Sequence, residues 1–184
     1  MTLAAIITEA KNGSQTAQQL LFNRLSARSK LLCQRYVKSH EDAEEVVLDG
    51  FHKFLKGLVT FIYVSEAGVF CYVKRIMVNE CLMKLRKTNS FNLATEPIAA
   101  EVPVGDSVLE KLASAEIYRM IIHLPAGYRT VFNLHAIEGY EHKEIAALLG
   151  ISENTSRSQL LKARGLLQKM LITNGNDYGK QGSK

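Results

Sequence analysis

Apolar residues recur along this chain at the three-and-four spacing of helices, and no segment carries the period-two alternation of a convincing strand ladder. After a break at Asn12-Gly13, Ser14 offers an N-cap, and Ala17, Leu20, Leu21, Leu25, Leu32 and Tyr36 continue one apolar face. A second helix is predicted from about Glu41-Asp42, where acids suit the positive helix end, to beyond Phe54. Its core face is Ala43, Val46, Val47, Phe51 and Phe54; Asp42, Glu45, Asp49 and Lys53 occupy the other. The apolar run Leu58 to Val64, rich in β-branched and aromatic residues, has no strand to pair with and reads as helix end and loop, closing in Ser65-Glu66-Ala67-Gly68. A third helix follows over about Val69 to Lys87, apolar along Val73, Ile76, Met77, Leu82 and Leu85. Its last turn holds Lys84, Arg86 and Lys87, which complement the helix dipole.

Residues 89–106 contain two of the three prolines and show no periodicity, so they read as a flexible linker. Ser107 and Glu110 then match a capping box that opens a helix through His123, and Pro125 begins another at a first-turn position. The expected organisation is all-α: a helical domain over 10–88, the linker 89–106, a second helical domain over 107–173, and a disordered tail 174–184 rich in Gly, Asn and Lys.

Within the second domain, residues 124–164 read as two short helices joined at Gly150, with a basic segment behind. Ile145, Leu148 and Leu149 give the first an apolar face, Ala146 permits close helix contact, Ile151 packs back beneath the turn, and Ser152 can cap the next helix. That is a helix-turn-helix pattern. Helical spacing from Ser152 buries Ser156, Leu160, Ala163, Leu167 and Met170, and turns Asn154, Arg157, Ser158, Leu161 and Lys162 outward. Early positions of such a helix enter the major groove, where Arg157 can bridge guanine acceptors. Lys162 and Arg164 sit deeper and suit backbone phosphates. Leu161 suits a thymine methyl or sugar, or else packing on the neighbouring domain. Main-chain N–H groups near His142 and Lys143, at the amino end of the preceding helix, are further phosphate candidates.

A net charge of +5 suits a polyanionic partner without proving one. Cys33, Cys71 and Cys81 are odd in number, widely spaced and set in apolar surroundings, which argues for packed thiols in a reducing cytosol and against a disulfide framework. No Cys-x-x-Cys or His-x-x-x-His pair suggests a metal, and no cofactor is expected. The amino terminus lacks a basic n-region and carries Glu9, so it fails as a signal peptide; Lys53, Lys56 and Glu66 interrupt the most apolar stretch, so no membrane insertion is expected. No phosphate loop or nucleophile constellation supports an enzyme.

Leu124-Pro125, Tyr128-Arg129, Glu138-Gly139-Tyr140, Glu144-Ile145-Ala146, Leu149-Gly150-Ile151-Ser152-Glu153, Thr155 and Ala163-Arg164 resemble the promoter-binding region 4 of extracytoplasmic-function (ECF) sigma factors. Independently, Glu41-Asp42-Ala43-Glu44-Glu45 with Phe51 resembles the polymerase-binding helix of their region 2. Phe70, Tyr72-Val73, Arg75-Ile76, Asn79 and Leu85-Arg86-Lys87 resemble its minus-ten helix. The resemblance implies a cytoplasmic transcription factor, without catalytic residues of its own, that binds core RNA polymerase through the β′ clamp helices and β flap, and is controlled by an anti-sigma factor. It places Asp42, Glu45, Leu48 and Asp49 on the polymerase. It places Asn79, Lys74, Arg75, Lys84 and Arg86 on the minus-ten element, and Arg157, Ser158, Leu161 and Lys162 on the minus-thirty-five element.

Four residues depart from that pattern. Leu48 stands for a usual glutamine, Tyr72 for tryptophan, Met83 for a frequent aspartate, and Ser156 for a valine-like core residue whose loss is expected to weaken packing. The loop 57–70, with Phe61 and Tyr63, is either a pocket for an unstacked base or plain aromatic core. Two other readings stay open on the residues alone: an operator-binding regulator that works without polymerase, and an all-helical adaptor that binds only protein.

Overall fold

The computed structural model describes residues 1–88 and 114–181, with backbone alone at 114–115 and 174–181. Among the described residues the architecture is all-α, and the chain divides into two compact units, Met1–Asn89 and Ser90–Lys184.

The first unit packs α1 (Leu3–Lys11), α2 (Gln15–Tyr36), α3 (His40–Gly57) and α4 (Glu66–Lys87) around one core. Each helix starts at a hydroxyl side chain that accepts from a main-chain N–H three residues on: Thr2 from Ala5 at 3.3 Å, Ser14 from Ala17 at 3.3 Å, Ser39 from Asp42 at 3.1 Å and Ser65 from Gly68 at 3.1 Å. Such caps are worth about 1 kcal/mol each. Ala43, Val46, Val47, Phe51 and Phe54 of α3 are buried as their spacing predicts, against Val73, Met77, Val78 and Leu85 of α4 and Leu21, Leu25 and Tyr36 of α2.

Several expectations need adjustment. The failed signal peptide is α1 itself, with Leu3, Ile6, Ile7 and Ala10 buried at helical spacing. Leu20 is exposed, because Leu21 takes the inward position of that turn and the next residue round lies about 100° away. Ile76 is only half-buried, and α4 begins at Glu66, so the stretch read as loop is its first turn. Cys33 and Cys81 are buried, but Cys71 is exposed and is no packed thiol.

The second unit holds α5 (Ser114–His123), α6 (Ala126–Phe132), a π-helical turn (Asn133–Ile137), α7 (His142–Leu149) and α8 (Glu153–Gln181). Pro125 is the N-cap of α6, one position earlier than predicted. Arg129 is buried, where it donates to Ile122 O at 3.2 Å and Leu124 O at 2.8 Å, satisfying carbonyls at the end of α5; burial lowers its pKa. The core between α6, α7 and α8 is Leu124, Val131, Leu134, Ile145, Leu160, Ala163 and Leu167. Gln159 is also buried, which the spacing did not reveal, while Met170 is half-buried. The backbone of α8 runs on to Gln181, past the boundary read at Thr173, since extending an existing helix needs no new nucleus. The linker 89–106 and the capping box Ser107–Glu110 lie outside the described residues.

Candidate nucleic-acid interface

Two exposed surfaces, one in each unit, carry the residues singled out by the sequence. In the second unit Gly150 adopts φ +69°, a left-handed conformation that a side chain would strain, and its N–H bonds to Ala146 O. The Ile151 N–H reaches the same carbonyl at 3.1 Å, so the end of α7 is closed and the chain is turned sharply. Ser152 Oγ then accepts from the Thr155 N–H at 3.0 Å, which starts α8. The turn is thus fixed at both ends by residues legible in the sequence.

On α8, Asn154, Arg157, Ser158 and Leu161 are exposed and Lys162 and Arg164 are half-buried, while Ser156, Leu160, Ala163 and Leu167 face inward. Leu161 is 59% exposed within its own unit, an apolar group held in solvent. Glu153 pairs with Arg157 at 3.2 Å, one turn apart, and Lys162 lies 5.9 Å from the Tyr128 ring centroid. Ser158 donates to Thr155 O at 3.0 Å on its own helix. Ser156 does not leave a packing defect: it is fully buried, and its Oγ lies 2.8 Å from His142 Nδ1. That bond compensates the polar substitution in the core.

His142 opens α7, where the Glu141 N–H is taken by the Glu144 carboxylate at 2.8 Å; Lys143 is exposed. Behind it stands His135 of the π turn, ring to ring at 4.4 Å and 14°. Burial lowers the His142 pKa, with the His135 ring and Arg157 adding to the shift, Glu153 opposing it and Arg164 lowering it further. His135 was missed in the sequence because a seven-residue separation across a π turn and a glycine has no regular spacing.

In the first unit, Cys71, Arg75, Asn79 and Met83 form one exposed row along α4, four residues apart, with Arg86 exposed beyond. Lys74 is half-buried beside that row. Lys84 turns the other way: its ammonium lies 2.9 Å from Asp42 and 2.6 Å from Glu45, which raises its pKa through those two hydrogen bonds. A cation read as DNA-facing is therefore joined to two acids read as polymerase-facing. Leu48, 59% exposed, and Asp49 continue the α3 surface. Lys53 pairs at 2.7 Å with Glu80, whose side chain is almost wholly buried. In the loop before α4, Phe61 stacks on Tyr72 at 4.9 Å and is half-buried, as is Tyr63, while Val59, Ile62 and Val64 stand out in solvent. Lys11 anchors the loop by donating to Phe61 O.

The second unit thus carries a helix-turn-helix of the DNA-binding kind, and known proteins resemble it. The family model described as Sigma-70, region 4 matches residues 114–167. The ECF RNA polymerase sigma factor SigM of Mycobacterium tuberculosis is 28% identical over 159 residues, covering 86% of this chain and 79% of that protein. The ECF RNA polymerase sigma-E factor of Haemophilus influenzae is 27% identical over 186 residues, covering 93% and 96%. Over most of its length the chain is thus similar to ECF sigma factors of RNA polymerase, and residues 114–167 match region 4 of the Sigma-70 type. Among solved structures, the sigma factor RpoE in complex with the anti-sigma factor NepR from Bartonella quintana is similar at 18% identity and a TM-score of 0.46, covering 84% of this chain and 96% of that one.

Proposed function

We propose that this chain joins core RNA polymerase and directs it to promoters by holding DNA at two points. The observation that carries the reading is the α8 surface: Arg157, Ser158 and Leu161 exposed side by side behind a fixed glycine turn, inside the segment that matches region 4. Arg157 reads a base edge of the minus-thirty-five element, with Asn154 beside it and Lys162, Arg164, Lys143 and the α7 amino end at His142 for the phosphates. In the first unit, Arg75, Asn79 and Arg86, with Lys74 alongside, face the minus-ten element. Asp42, Glu45, Leu48 and Asp49 dock on polymerase, with Lys84 bridging the two surfaces.

In this reading residues 10–88 are region 2, 89–106 the linker and 107–173 region 4. The protein acts as a transcription regulator with no catalytic step of its own and works in the cytoplasm. Among the described residues no helix is long and apolar enough to cross a membrane. Control by an anti-sigma factor is part of the same reading.

Run-off transcription with core polymerase on a promoter library tests the reading. The chain should confer transcription from a subset of promoters sharing two spaced elements. Tight duplex binding without co-purification of polymerase would favour a free-standing operator regulator and overturn it.

A further inference from the structure

The paired imidazoles of His135 and His142 are assigned no role by the promoter grip, yet they sit close to Arg157 and Arg164 of its α8 surface. His135 Nδ1 lies 2.9 Å from the Tyr140 carbonyl, which can only accept, so this nitrogen carries the hydrogen and the outer nitrogen of the neutral ring is unprotonated. His142 is fixed from the other side by Ser156 Oγ at 2.8 Å, and the two rings stack at 4.4 Å. A proton on one ring is tolerated, because the other stays neutral beneath it. A second proton would place like charges face to face.

The groups facing His142 are His135 from the π turn and Glu153, Arg157 and Arg164 from α8; its own helix adds Glu144, with Lys143 next in the chain. Two of these, Arg157 and Arg164, are cations whose charge bound DNA would offset, Arg157 at an acceptor on a base edge and Arg164 at a phosphate. We propose that the His135–His142 pair is a proton-linked part of the minus-thirty-five site: as DNA neutralises Arg157 and Arg164, the pair takes one proton from solvent onto a ring nitrogen, adding a charge to the phosphate-facing surface. The inference rests on the region 4 reading above and adds to it a residue, His135, and a coupling.

Burial, then the His135 ring and the two arginines, already lower the His142 pKa from its ordinary value in the free protein, so it enters the site neutral near pH 7. Binding an anion reverses the electrostatic part of that shift. The sign follows by linkage: where the bound state holds one more proton, affinity falls as pH rises, by at most about tenfold per pH unit. Where His142 is already protonated in the free protein the dependence flattens, because the proton is already present.

The test uses reconstituted holoenzyme and a promoter duplex at fixed ionic strength, with affinity measured from about pH 6 to about pH 8, the window in which histidine titrates. His142→Gln keeps a side-chain amide for Ser156, and His135→Gln removes the stacked ring while keeping an amide that can donate to Tyr140 O. The parent should lose affinity with rising pH more steeply than either variant. Calorimetry in buffers of different ionisation heat should show about one more proton taken up by the parent than by His142→Gln. Parallel pH profiles with equal proton uptake in parent and both variants would overturn the coupling while leaving the sigma reading intact. A parent holoenzyme that binds no promoter at all would overturn both.

Discussion

Lys84 of α4 holds Glu45 of α3 at 2.6 Å and Asp42 at 2.9 Å, so the helix read as DNA-facing and the helix read as polymerase-facing are joined by one ammonium. The acids raise the lysine pKa, so the bridge contributes stability that is fully present at neutral pH and is lost as pH climbs from the ordinary lysine value through the raised one. Lys84→Ala should therefore lower the melting temperature of the chain at neutral pH, with the difference from the parent shrinking in strong alkali and in high salt. Thermal melts of Lys84→Ala, Glu45→Gln and the double variant check it. The double variant should lose less than the sum of the two singles, and strict additivity would mean the bridge is absent in solution.

Tyr72 is tied to a particular glycine. It stacks on Phe61 at 4.9 Å, lies 6.0 Å from the Phe54 ring, and sets its hydroxyl where a Cβ on Gly57 would sit. A rigid ring held on two sides cannot swing away cheaply, so Gly57→Ala should destabilise the first unit by about 1–3 kcal/mol. Removing the hydroxyl makes the needed room. The double variant Gly57→Ala with Tyr72→Phe should recover most of the loss in urea unfolding, and no recovery would place the strain elsewhere.

The three cysteines should divide sharply in reactivity. The Cys81 thiol pKa is raised by its hydrogen bond with Cys33 and then by burial, so little thiolate forms there, and Cys33 is equally sealed. Cys71 is exposed on α4. A thiol reagent should label Cys71 alone in the native chain and all three in denaturant. Rapid native labelling of Cys33 or Cys81 would show that α2 and α4 separate readily.

What could be read in the sequence was whatever rests on local spacing. The buried faces of α3 and α8 and the glycine turn at Gly150 follow from residues within two turns of each other, and there the structure agrees. Ser65 was legible as a helix cap in principle, but the run of β-branched residues before it masked the signal and shifted the start of α4. The α1 helix was hidden differently: its apolar face was weighed only as a leader sequence. Contacts between helices were the least accessible. Nothing in the spacing of Lys84, Asp42 and Glu45 says that they meet. Likewise, nothing marks Ser156 as the partner of His142, so a residue that looked like a packing defect proves to be half of a buried hydrogen bond.

Arg157, exposed, and Lys162, half-buried, both lie on the outward side of α8 yet should fail in different ways. Arg157 pairs with Glu153, 3.2 Å away on the surface, an ion pair weak enough to exchange for a base edge. Arg157→Ala should therefore relax discrimination at one base pair of the upstream element by about 1–3 kcal/mol while leaving other positions alone. Lys162 lies 5.9 Å from the Tyr128 ring and sits deeper, where it meets phosphate whatever the sequence. Lys162→Ala should weaken all promoters alike and reduce the salt slope of holoenzyme binding by about one. Affinity over promoters substituted one position at a time, at several salt concentrations, separates the two. If Lys162→Ala changed base preference while Arg157→Ala changed only the salt slope, α8 would lie in the groove rotated from the orientation argued above.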